Sequence, residues 1–140
     1  MVYLFLAVFF YSISLLIGAS ASRNANTNLV AFINTFVSAI IPFIVVVPTL
    51  SKKVFENQKY GVLMAALSGL IVSLFVLSLT KSFTQNKVGI VTPVVYGGAI
   101  LITTVSSYFI FKEKISLVEG AGLALILVGL AVVIYARATA

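Results

Sequence analysis

Five long apolar stretches, separated by short polar ones, set the pattern of this chain. They run from Val2 to Gly18, Leu29 to Leu50, Tyr60 to Thr80, Val88 to Phe111 and Leu117 to Tyr135. A bilayer core of about 30 Å is crossed by about 20 helical residues, and a segment in lipid must satisfy its own backbone hydrogen bonds. The pattern therefore predicts an all-α integral membrane protein with five transmembrane helices, a multi-pass protein of the cell membrane. The polar stretches Ala19 to Asn28, Ser51 to Lys59, Lys81 to Lys87 and Lys112 to Ser116 are short, so sequential helices are expected as antiparallel neighbours in one membrane domain over residues 1–140.

Two of the boundaries carry further signals. Ser116 and Glu119 stand in the S-x-x-E spacing of a capping box just before an apolar run, which predicts a sharp start to the last helix and gives Glu119 a structural task. Ala19-Ser20-Ala21 after the first apolar run fits a signal-peptidase site. Against that reading, no Lys or Arg precedes the run and it is long for a signal core, so a first transmembrane span is the expectation.

Composition narrows the chemistry. Of the 140 residues 61% are hydrophobic and 9% charged, so any function must sit among the helices. Cys and His are absent, which removes thiol nucleophiles, imidazole bases and the commonest zinc ligands. The acids are Glu56, Glu113 and Glu119, all in loops or at a helix end, so no carboxylate pair faces a common pocket. No enzyme activity, cofactor or metal is expected.

The net charge of +6 comes from bases scattered between the apolar runs, which predicts anchors at the lipid headgroups and not a nucleic-acid surface. Lys and Arg in short loops also set insertion. With five spans, one side of the membrane collects Lys52, Lys53, Lys59, Lys112 and Lys114, and the other Arg23, Lys81, Lys87 and Arg137. So even a division is compatible with dual topology, in which two copies assemble antiparallel. It is equally compatible with one weakly biased orientation held by a partner.

Within the spans, small and polar residues are the informative ones, because close packing and hydrogen bonds join helices in lipid. Ala65, Gly69 and Ser73 recur at intervals of four, as do Gly89, Pro93 and Gly97, while Gly122 and Gly129 share a face seven apart. Each set suits either self-association or packing within the monomer. Tyr11 and Ser14 on the first span, Asn34 and Ser38 on the second, and Thr92, Tyr96, Thr103 and Ser107 on the fourth are candidates to line a neutral solute path near the midplane. For each Ser or Thr the competing reading is a hydroxyl bonded to its own helix, whereas the carboxamide of Asn34 and the phenol of Tyr96 are poorly satisfied that way. Pro42 and Pro93 are candidate hinges or static bends, and Pro48 also removes a helix hydrogen bond.

The stretch Gly89 to Tyr135 resembles the end of a repeat in the drug/metabolite transporter superfamily. It has Pro93 early in the penultimate span, the aromatic exit Tyr108-Phe109-Ile110-Phe111, the turn Lys112-Glu113-Lys114 and a glycine-bearing last helix. Within that helix Gly122-Leu123-Ala124-Leu125-Ile126-Leu127-Val128-Gly129 is similar to the G-L-x-L-I-x-x-G dimerisation motif of the small multidrug resistance family. Five spans equal one EamA-type repeat. The resemblance implies a small-molecule transporter in which two inverted copies join through Gly122, Leu125, Ile126 and Gly129; the polar residues of the second and fourth spans make these the expected borders of its path. One departure matters. Small multidrug resistance proteins carry a membrane-embedded Glu in their first helix, and Val2 to Gly18 holds no acid. A neutral or zwitterionic solute fits better than a proton-coupled cation. The alternative from a different class is a non-transporting membrane subunit that stabilises a partner protein or assists movement of a lipid carrier.

Overall fold

The computed structural model describes residues 2–50 and 58–139, without the side chains of 137 and 138. Lys52, Lys53 and the side chain of Arg137, which enter the balance of loop charges, lie outside the described residues, as does Glu56.

Each apolar stretch becomes a helical span: Val2–Asn24, Thr27–Thr49, Lys59–Gln85, Val88–Ile110 and Leu117–Ala138 form the first to fifth spans. Among the described residues there is no strand. The first and third helices continue past the apolar runs to Asn24 and Gln85, because hydropathy marks the bilayer core while helical hydrogen bonding persists into the interface. Asn26 begins the second span. Its side-chain oxygen accepts from the N–H groups of Asn28 at 3.0 Å and Leu29 at 3.3 Å, two donors that a helix start leaves without partners.

The capping box opening the last span is formed. Ser116 N–H donates to Glu119 Oε2 at 2.7 Å, and Glu119 N–H to Ser116 Oγ at 3.2 Å. Just after the fourth helix, Lys112 takes a left-handed φ of 57°, a conformation usual one residue past a helix C-cap.

The second span is not one uninterrupted helix. It divides into Thr27–Ser38 and Ile40–Val46, followed by a 3-10 turn over Val47–Thr49. Pro42 has no N–H to give the carbonyl of Ser38 four residues back, and its ring crowds that carbonyl. At the break Ala39 N–H donates to Phe36 O at 3.2 Å, and Ser38 Oγ donates to Thr35 O at 2.8 Å. By contrast, Pro93 lies early in the fourth span and the helix runs through it unbroken.

The chain separates into two compact units, Met1–Gln85 and Asn86–Ala140. In the first, every described residue that is buried or half-buried falls within 15–35 or 73–83. The three helices are thus packed together near the first loop and apart beyond it. Small residues permit the close approach: Ala19, Ser22 and Ala31 are buried there with Val30, Leu79, Thr80 and Phe83. The two buried hydroxyls are satisfied within their helices, Ser22 Oγ donating to Gly18 O at 2.8 Å and Thr80 Oγ1 to Val76 O at 2.9 Å. Arg23 adds a tie at this end, its Nε donating to the carbonyl of Phe83 at 3.3 Å in the last turn of the third span, where a cation meets the negative end of the helix dipole.

In the second unit the fourth and fifth spans pair through Gly97. A Cβ at that position would stand 2.8 Å and 2.9 Å from the two Cδ atoms of Leu130, so the absent side chain is what lets the leucine in.

Candidate functional site

Where the first three helices come together near the first loop, hollows remain between them. One of about 550 Å³ lies between the first and second spans, walled by Phe10, Ile13, Ile17, Val30 and Ile33 and floored by Gly18, Ala21 and Ala25. A tighter one of about 160 Å³ runs among all three spans, past Tyr11, Leu15, Val72, Phe75, Val76, Leu79, Thr80 and Phe83. Ser14, Gly18 and Asn34 line both hollows. At 1.5 Å rise per residue, Asn34 is about 7 Å inside the apolar run that starts at Leu29 and Ser14 about 6 Å inside the run that ends at Gly18, so both lie within the hydrocarbon core, toward the side of the first loop.

Several neighbouring polar groups are satisfied by their own helices. Ser12, Thr35, Ser73 and Ser78, like Ser22 and Thr80, donate to carbonyls of their own helices at 2.7–3.0 Å. Ser14 Oγ and the Asn34 carboxamide have no hydrogen-bond partner among the described residues. Neither lining contains an acid or a base. The arrangement offers two donor-acceptor groups, uncharged and unengaged, set in an apolar groove.

The predicted path residues therefore separate. Tyr11, Ser14 and Asn34 come together in the first unit, as one lining. Ser38, on the same helix as Asn34, is absent from it and spends its hydroxyl on Thr35 O. In the second unit Thr103 Oγ1 donates to Ala99 O at 2.7 Å and Ser107 Oγ to Thr104 O at 2.9 Å, so both are satisfied by their own helix. Tyr96 is half-buried. Thr92 is distinctive, since its Oγ1 is buried and has no partner among the described residues.

On the fifth span a Cβ at Gly122 or Gly129 would meet nothing within 4 Å, Leu125 is 74% exposed and Ile126 is half-buried. The motif face is thus open within its unit, while Leu130, one residue beyond Gly129, faces Gly97. On the third span, Gly69 is likewise open, and Ser73 instead stands beside Ala31, Phe32 and Thr35 of the second.

Sequence reasoning did not single out Gly18 or Thr80, nor the contact of Gly97 with Leu130. Gly18 carried a usable signal, as it lies four residues from Ser14 and so on the same helical face.

Five membrane-length apolar helices define a multi-pass helical membrane protein. Residues 1–135 match the EamA-like transporter family, and the chain belongs to that family, its five helices agreeing with a single EamA-type repeat. It is a membrane transporter, and membership implies a small-molecule solute. No curated protein and no solved structure matches the chain.

Proposed function

We propose that the protein moves a small solute by alternating access as an antiparallel homodimer, with the groove around Ser14 and Asn34 forming one wall of the route. The observation that carries this reading is the Asn34 carboxamide, exposed in the groove within the apolar part of its span and without a hydrogen-bond partner among the described residues. Placing an amide in an apolar medium without a partner costs about 2–7 kcal/mol, and the groove supplies none within the first unit. An occupant that completes those bonds explains why such a side chain stands there.

The two-copy arrangement is supported by the open face of Gly122, Leu125 and Gly129, which lets another backbone approach closely, and by the nearly even division of loop charges. In this reading Pro42 is a hinge, since the second helix is already broken at Ala39, and Pro93 is a second one. The two copies exchange inward-open and outward-open roles as the solute passes.

The absence of cysteine makes the test direct. A single cysteine replacing Gly129, in membranes containing the full chain, is expected to form a dimer on oxidation. Reporters fused after Ala140 are expected on both sides of the membrane, and reconstituted protein to take up solute from a screened panel. Reporters confined to one side, no cross-link and no uptake would overturn the proposal in favour of a non-transporting subunit.

A further inference from the structure

We infer that the groove between the first and second spans selects uncharged solutes with an apolar body and a head that both donates and accepts hydrogen bonds, such as a primary amide, and rejects ions of either sign. The inference rests on the transporter reading above and assigns a solute class to its site.

Three observations carry it. The body of the groove is aliphatic and aromatic, with Phe10, Ile13, Ile17, Val30 and Ile33 around about 550 Å³, within the usual range for small-molecule pockets. Its polar groups are Ser14 and Asn34, both shared with the tighter hollow, so a head bound to them lies at the seam of the two spaces. Neither lining holds a charged side chain, and an ion brought to this depth would lose its hydration without gaining a counter-charge.

The chemistry of the head follows from the valences left open. Asn34 offers two N–H donors and a carbonyl acceptor, and Ser14 one donor with acceptor lone pairs. An ammonium would leave their donors unanswered and a carboxylate would leave the Asn34 carbonyl unanswered. An amide engages both kinds of group, and an alcohol can do the same with fewer bonds. A plain hydrocarbon satisfies neither, although it fills the apolar wall.

A matched set of decyl compounds tests this with the full chain in lipid nanodiscs, corrected for empty nanodiscs. Radiolabelled decanamide is expected to bind saturably. Decanoate, decylammonium and decane should each compete about tenfold or more weakly. Asn34→Leu should weaken decanamide binding about tenfold and Ser14→Ala severalfold, each with unchanged helical circular dichroism. Asn34→Asp should reverse the selectivity toward decylammonium, a gain that a misfolded variant does not show.

Several results would overturn the assignment: equal competition by decane, which makes the groove an acyl-chain cleft, tighter binding of either ion to the unmodified chain, no saturable decanamide binding, or Asn34→Leu without effect. If any of these appears while the cysteine at 129 still cross-links and solute uptake persists, the solute class fails and the two-copy transporter stands. If the cross-link is lost while Asn34-dependent amide binding remains, the dimer fails and the site stands.

Discussion

Three glycines in the last two spans have opposite expected responses to the same small change. At Gly97 an added Cβ falls 2.8 Å, 2.9 Å and 3.1 Å from the Cδ and Cγ atoms of Leu130. Carbon atoms in good contact stand about 3.5–4.0 Å apart, so Leu130 must withdraw by roughly 1 Å. Overpacking of this kind costs about 1–3 kcal/mol. Replacing glycine by alanine inside a helix returns about 1 kcal/mol. Because the clashing atoms are the flexible end of a half-buried leucine, the net loss for Gly97→Ala is expected at about 0.5–2 kcal/mol. Leu130→Ala removes the clashing atoms, so the double variant should recover about 1–2 kcal/mol relative to the sum of the singles.

At Gly122 and Gly129 nothing lies within 4 Å, and the same substitution should leave the isolated chain unchanged or about 1 kcal/mol more stable. A loss there that grows with protein concentration therefore reports a second chain. The chain has no Trp, so unfolding is best followed by far-UV circular dichroism during SDS titration in mixed micelles, over a range of protein concentrations. The reasoning is refuted if Gly97→Ala is as harmless as Gly122→Ala and the Gly97–Leu130 cycle is additive.

Other substitutions probe the groove and its frame. Gly18→Leu adds a side chain beside both hollows, where an added Cβ meets nothing within 4 Å, so uptake is expected to fall severalfold with little change in SDS midpoint. Pro42→Ala allows the second helix to close over Ala39, and should stabilise the protein by up to about 3 kcal/mol while slowing uptake; spin-label distances across the break report the straightening. Thr92→Val keeps the shape and removes a buried oxygen without a partner, so stability should rise by about 1–3 kcal/mol; a simultaneous loss of uptake would mark that hydroxyl as a solute contact. Arg23→Gln withdraws the charge from the last turn of the third span and should cost about 0.3–1 kcal/mol, an effect that weakens in high salt.

The number of membrane spans, and the capped start of the last one, were determined by the sequence alone. In lipid each segment must close its own backbone hydrogen bonds, so an apolar run of sufficient length becomes a helix whatever lies beside it. The Ser116–Glu119 box joins residues three apart and needs no distant neighbour. Family membership was legible for similar reasons, through span count and the Gly122 to Gly129 motif.

What the spans do with their polar and small residues was decided by tertiary structure. Periodicity puts Asn34 and Ser38 near one stripe, yet Asn34 opens into the groove while Ser38 bonds to Thr35 O. Gly97 and Gly129 look alike as glycines in apolar helices, yet one receives Leu130 and the other faces open space. The physical reason is the solvent. Lipid tails are as apolar as leucine, so these helices carry no hydrophobic face that tells inside from outside, and only packing settles which carbonyl, hydroxyl or glycine meets which neighbour.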